Sequence, residues 1–143
     1  MSQVDAIEIH AGTEIHVPFV LSSWLKTYKY SSPFARRIRN EIYYKRHHAI
    51  ATAILNRAST KVYIATPKGE PDVYLGYLVI ERSAFAVIHF CYVKTSFRRL
   101  GIMSALLKAA RIVPEGSRYT HRTYDVDWLD DKYPGLIHDP YLL

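Results

Sequence analysis

The stretch Cys91-Tyr92-Val93-Lys94-Thr95-Ser96-Phe97-Arg98-Arg99-Leu100-Gly101-Ile102-Met103-Ser104-Ala105-Leu106-Leu107 decides the reading of this chain. An almost continuously apolar run, Phe85 to Val93, ends in a short basic turn. Gly101 then stands at the head of a helix whose Met103, Leu106, Leu107 and Ala110 fall at i, i+3, i+4 and i+7, one apolar face. The run before the turn is predicted to be a central strand covered on both faces. The start of a helix leaves backbone N–H groups unpaired and carries partial positive charge. A glycine there lets an anion come close to the backbone, and Arg98 and Arg99 add charge beside it. The pattern is that of a seat for pyrophosphate; a basic, glycine-containing helix start without a ligand fits the same residues.

Working outward, the period of two dominates before this stretch. Lys61–Ala65, Val73–Glu81 and Phe85–Val93 read as three strands of an antiparallel meander, with the turn signal Pro67-Lys68-Gly69-Glu70-Pro71-Asp72 after the first. Further upstream, Ile7-Glu8-Ile9-His10 alternates as a half-buried strand does. A helix follows with Pro18 in its first turn and Phe19, Val20, Trp24 and Leu25 as its buried stripe, broken by Tyr28–Pro33. A second helix is predicted over Tyr43–Arg57, where Tyr43, His47, Ile50 and Ile54 recur at helical spacing. Downstream, Pro114-Glu115-Gly116 stops the basic helix and Tyr119–Thr123 reads as another strand. Asp125 is placed to cap a short helix through Trp128, and Gly135–Leu143 is an apolar tail able to pair at the sheet end. The order β-α-α-β-β-β-α-β-α-β is a mixed α+β architecture.

Composition narrows the class. The 143 residues, with 49% hydrophobic and 22% charged side chains, describe a globular chain of single-domain size, residues 1–143. One cysteine, Cys91, excludes an intramolecular disulfide framework and a multi-cysteine zinc site. His47 and His48 are adjacent and face apart on a helix, so they cannot chelate together, and no metal site is expected. No apolar run reaches the roughly 18 residues of a membrane span, and Met1–Asp5 lacks the basic start of a signal peptide. A reduced, cytoplasmic location is the expectation. Lys and Arg number 19 against 13 Asp and Glu, a net charge of +6. Solubility, nucleic acid and a small polyanionic ligand all accommodate that charge.

The 91–107 stretch resembles the GCN5-related N-acetyltransferase (GNAT) superfamily. Its members bind acetyl-CoA through Gln or Arg, two residues, Gly, one residue, then Gly or Ala; Arg98, Gly101 and Met103 stand at the three marked positions. Val93, Lys94 and Phe97 fit the segment that precedes it, and the two helices and the meander fit the family's order of elements. Met103 departs from the usual small residue, but its amide N–H remains available. The resemblance implies a layered α/β/α acyltransferase fold whose mostly antiparallel sheet splays between strands four and five. It implies an acetyl-CoA-dependent N-acetyltransferase that transfers acetyl directly to an amine. Compactness and aromatic-rich helices resemble small acetyltransferase-like proteins of bacteria and their phages, which would place it in the cytoplasm of a bacterial or phage-infected cell.

Site residues follow from the same resemblance. The backbone of Val93 would flank the thioester and pantetheine arm. The amides of Arg99, Leu100, Gly101, Ile102, Met103 and Ser104 would cradle the pyrophosphate, with the Ser104 hydroxyl adding a donor. Arg98 or Lys94 would meet the diphosphate or the 3′-phosphate. For the general acid the family's Phe-Tyr pair is missing; Tyr124 and Tyr133 are the candidates, with Tyr124 favoured because it follows the fifth strand directly. For the base, Glu81, His89 and His121 lie on strands flanking the cleft, and His121, in the more polar strand, is favoured. Tyr28, Tyr30, Ser31, Ser32 and Phe34 would form the acceptor wall. The cluster Arg36, Arg37, Arg39, Lys45 and Arg46 reads either as a solvated helix face or as a contact for an acidic or nucleic-acid partner. A catalytically degenerate GNAT-fold binding protein is the alternative to the enzyme, and a homodimer is compatible with both.

Overall fold

The structure, a computed structural model, describes residues 6–124 and 131–143. The helix expected from Asp125 through Trp128 lies outside the described residues, as does the Met1–Asp5 segment. Six strands form one sheet in sequence order: β1 (Ile7–Ala11), β2 (Thr60–Pro67), β3 (Gly76–Arg82), β4 (Ala86–Val93), β5 (Arg118–Tyr119) and β6 (Ile137–His138). Strands β1 to β4 pair antiparallel, as the meander predicts. β5 joins β4 in parallel, and β6 joins β5 in parallel, so the tail from Gly135 does supply an edge strand. The mixed α+β architecture is the one expected.

Two cores lie on the two faces of this sheet. One is aliphatic: Leu78, Ile80 and Ile88 of the sheet meet Ile102, Leu106 and Leu107 of α4 (Ile102–Ala109). The other is aromatic: Tyr77 and Phe90 meet Trp24 and Tyr28 of α1 (Val17–Ser31) and Tyr43 of α3 (Asn40–Leu55). Trp24 stacks on Phe90 at 5.6 Å between ring centroids. Burying rings of this size contributes roughly 1.5–3 kcal/mol each, so the helical hairpin is held mainly by this layer.

The helix α1 runs to Ser31, through the segment expected to break it. Pro33 instead opens a one-turn helix α2 (Pro33–Arg36), capped by the Ser32 hydroxyl, which accepts from the Ala35 N–H at 3.2 Å. The buried Lys29 ammonium donates to the carbonyls of Ala35 (2.9 Å), Arg36 (3.2 Å) and Ile38. Three acceptors for three protons satisfy the charge and pin the connection from α1 to α3.

Regular alternation fails at one place in β4. Ile80 pairs with Ile88, but Val79 pairs with Phe90, so His89 is an extra residue with no cross-strand partner. The bulge separates Ile88, in the aliphatic core, from Phe90, in the aromatic core, although two residues apart they would otherwise share a face.

Candidate active site

β4 and β5 pair for only two residues, Val87 with Arg118 and Ile88 with Tyr119. One further bond, from the Thr120 N–H to the Ile88 carbonyl at 3.1 Å, closes the ladder. Beyond it the chains part, and residues 120–123 belong to no strand, so the fifth strand stops four residues short of its expected end. The gap opens into a cleft of about 650 Å³ that extends from His121 and Thr123, past Phe90 to Val93, to Gly101–Ser104 at the start of α4. Within it the residues of β4 from Cys91 onward keep one edge free of β5.

The α4 end is built from backbone. Gly101 is the N-cap with φ +81°, a left-handed conformation that costs glycine nothing. Among the described residues no side chain caps the helix, which leaves the cap position open for an incoming anion. Arg99, with φ +63°, adopts the same region against its preference, at a cost on the order of 1–2 kcal/mol. Arg98, Arg99, Met103 and Ser104 all line the cleft, and Met103 also packs against the aliphatic core, as its place in the apolar stripe predicts. The Arg98 Nε–H donates to the Val93 carbonyl at 3.2 Å.

Lys132, which nothing in the sequence marks, donates to the Ser104 hydroxyl at 3.3 Å and adds a third cation there. Lys94 departs from the expected arrangement. Its N–H pairs with the Leu75 carbonyl and its ammonium lies 5.9 Å above the Phe19 ring, so it is not part of the cleft lining.

The opposite end is built from side chains. His121 lines the cleft and is buried. Its Nδ1 lies 2.8 Å from the Thr120 hydroxyl and its Nε2 lies 2.8 Å from Nε2 of His47 on α3. The rings of Trp24 and Tyr28 pack edge-on against it at 5.1 and 4.7 Å. Burial, then the neighbouring His47, His89 and His138, pushes its pKa well below that of a free histidine; a bond to the His89 backbone opposes this. Burial alone lowers His47 to about 4. Both rings are therefore neutral bases at pH 7.

The other expected residues divide. Tyr28 is buried against His47 and His121, whereas Tyr30, two positions on and so across the helix, is 61% exposed. Thr27 and Ser31 of the same helix line the cleft. The Tyr124 N–H is tied to the Ser31 carbonyl at 2.7 Å, and its ring stands exposed outside the cleft lining. Tyr133 packs against the aliphatic core. Glu81, next to the last residue of β3, also lies outside the lining; it reaches the cleft through His89, which bonds its carboxylate at 2.7 Å. Cys91 lines the cleft, but burial pushes its thiol up to about 12, which removes it as a nucleophile at neutral pH. The expected basic cluster Arg36, Arg37, Arg39, Lys45 and Arg46 is exposed, with Arg39 paired to Glu41 at 3.1 Å. Among the described residues no cluster of metal-ligating side chains occurs, and no helix is long and apolar enough to cross a membrane.

A splayed parallel pair leading to a glycine-headed helix defines a class of acyltransferase, and the comparisons agree. Residues 22–124 match the Acetyltransferase (GNAT) family. The chain belongs to this family, as its resemblance implied. No curated protein matches it. Among solved structures it is similar to a protein of Pyrococcus furiosus described as an acetyl transferase: 23% identity, TM-score 0.64, covering 88% of this chain and 91% of the other. A possible acetyltransferase from Clostridium difficile 630 shares 17% identity at TM-score 0.61, covering 90% and 88%. An aminoglycoside acetyltransferase from an uncultured soil metagenomic sample, in complex with sisomicin, shares 16% at TM-score 0.54, covering 92% and 88%. At these identities the three are likenesses of fold.

Proposed function

We propose that this protein is an acetyl-CoA-dependent N-acetyltransferase acting on an amine acceptor. The observation that carries the reading is the cleft itself: one channel joins the free edge of β4 to the open cap of α4 at Gly101. The residues fit the cofactor. Unpaired amides at a cap with no side chain suit a pyrophosphate, Arg98, Arg99 and Lys132 suit its charge, and the unpaired edge near Val93 suits a strand-like pantetheine arm. When bound, acetyl-CoA supplies the thioester whose acetyl group passes to the amine.

The chain's own residues then have three tasks. The α4 amides and the three cations hold the diphosphate. The splayed wall of β4 orients the arm and excludes water. His121, neutral and facing the cleft, takes the proton that the attacking amine must lose. Tyr124 is the candidate for protonating the departing thiolate, and it does so only if its exposed ring turns inward from the Ser31 tether. That placement favours a second reading, a GNAT-fold binding protein that holds the cofactor without turnover.

The acceptor side begins at Thr27 and Ser31, and the chain continues directly into Phe34, Arg36 and Arg37, all exposed. This favours an amine that also carries acidic groups. Isothermal titration with acetyl-CoA, followed by thiol release over a panel of acidic, neutral and cationic amines, tests the proposal. Absence of binding overturns the reading; binding without thiol release selects the second. Release that is strongest with cationic amines overturns the acidic acceptor alone.

A further inference from the structure

Five side chains from four segments form a continuous chain of hydrogen bonds. His121, which lines the cleft, meets His47 of α3, which does not, through their Nε2 atoms at 2.8 Å. His121 Nδ1 lies 2.8 Å from Thr120 Oγ1, and Thr120 Oγ1 lies 3.0 Å from His89 Nδ1. His89 Nε2 lies 2.7 Å from Glu81 Oε1. Glu81 also accepts from Arg57 Nη1 at 2.7 Å and from the Ser59 hydroxyl at 2.6 Å, at the end of the sheet where solvent reaches it.

One end fixes every proton in the chain. Glu81 is a carboxylate, so His89 Nε2 must be the donor. A neutral imidazole has a single N–H, so His89 Nδ1 accepts from the Thr120 hydroxyl. Thr120 has then spent its proton and accepts from His121 Nδ1–H. His121 Nε2 is left as an acceptor, and His47 Nε2–H donates to it. All four bonds point the same way, from His47 to Glu81. The β4 bulge is what makes this possible, since His89 is the unpaired extra residue and so can face Thr120 and Glu81.

We propose that Glu81, His89, Thr120, His121 and His47 form a proton relay that moves the proton taken up in the cleft to His89, beside the Glu81 carboxylate. His89, Thr120 and Glu81 are thus positioning residues that act through His121. The proton count balances. His121 gains one proton from the cleft at Nε2, where it replaces the bond from His47, and gives its Nδ1–H to Thr120 Oγ1. In the same motion Thr120 gives its own proton to His89 Nδ1. His121 and Thr120 end neutral as they began, and His89 ends as an imidazolium against a carboxylate.

The direction follows from the charges around each ring. His89 faces Glu81 from β3 and Arg57 from beyond α3; His121 faces His47, His89 and His138, with no acidic partner among the described residues. His47 lies between the neutral rings of Tyr28 and Tyr43. Burial lowers His89, but the Glu81 bond and charge oppose that, so a proton is better held there than on His121.

The inference rests on the acetyl-transfer reading only for the source of the proton. Thr120→Val cuts the chain at its middle with almost no change in shape, and Thr120→Ser restores the hydroxyl. Imidazole nitrogen NMR over a pH series reads the relay without any cofactor. In the wild type and in Thr120→Ser, the first proton on His89 and the tautomer change of His121 occur at one pH; in Thr120→Val they separate. Acetyl transfer by Thr120→Val falls about 10- to 100-fold in kcat, with acetyl-CoA affinity unchanged and recovery in Thr120→Ser. Unchanged coupling in Thr120→Val, or an unchanged kcat and pH profile, overturns the relay. If Thr120→Val does not fold, Glu81→Gln makes the same test: the first proton must leave His89. Its remaining on His89 overturns the proposal. Coupled titration in a wild type that transfers no acetyl group supports the relay and removes only the acetyl-transfer reading.

Discussion

The two ends of the cleft solve their tasks with different materials. The α4 end uses main chain: a left-handed Gly101, a cap without a side chain, and cations set around it. The His121 end uses side chains from strands, helix and coil, each held by the next. Backbone amides are available wherever a helix starts, so the first end tolerates a residue such as Met103 in the cradle. The second end tolerates little, because one missing hydroxyl or nitrogen leaves its buried neighbours unpaired.

Acid separates the two ends most strongly. His47 has its pKa lowered to about 4, so the unfolded chain takes up its proton first. Stability is full above about pH 6.5 and falls as the pH drops toward 4, by about 3 kcal/mol from this residue. His89 and His121 add in the same sense. For Glu81 burial raises the pKa, but bonds from Ser59, His89 and Arg57 outweigh it and bring it to about 2, so its contribution is lost only between about pH 4.5 and 2. Urea unfolding at a series of pH values measures the slope. His47→Phe should flatten it between pH 6.5 and 4, and a slope that stays as steep breaks the assignment.

Gly101→Val attacks the other end. A β-branched residue at φ +81° is strained, and its side chain fills the anion's approach; acetyl-CoA affinity should fall about 30-fold or more, on the order of 2 kcal/mol. Gly69→Val is the control, since Gly69 has φ +79° with open space around it. It should lose similar stability and no affinity, as read by titration calorimetry. Equal loss of affinity in both variants would mean that strain alone, and no seat, lies at Gly101.

Glu81→Gln should cost about 1–2 kcal/mol of stability, because Arg57 and His89 lose a charged partner, while acetyl-CoA affinity stays unchanged. A changed affinity would mean that the two ends are coupled. The smallest effect belongs to Arg99→Gly. Relief of the positive φ should raise stability by about 1 kcal/mol, and loss of one cation should weaken acetyl-CoA a few-fold, more at low salt than at high.

Most of the fold and half of the site can be read in the sequence, for reasons that track the same contrast. The proposed phosphate seat is contiguous: Arg98 to Ser104 would carry its donors in seven residues. The meander and the α4 stripe are periodic, and periodicity survives without tertiary knowledge. The fifth strand is shorter than Tyr119–Thr123 suggests, because β-forming residues pair only while a neighbour stays within reach, and β4 turns away after Ile88. His47 is legible as a buried helix position, but its partner 74 residues away is not. Lys132 reaches Ser104 from the far side of the cleft with no local pattern to announce it. Tyr124 follows the strand as expected, yet its backbone bond to Ser31 turns its ring outward, a choice made by an element a hundred residues earlier.

The unpaired residue in β4 has a wider consequence. It acts as a phase slip in an otherwise two-beat strand: Ile88, before it, faces the core of α4, and Phe90, two residues on, faces that of α1 and α3. Removing a single residue anywhere between Ile88 and Phe90 would bring the beat back into step. Ile88 and Phe90 would then face their opposite cores by plain alternation, but the imidazole that bonds Glu81 would be lost. Length, at this one point, is as much a part of the site as chemistry.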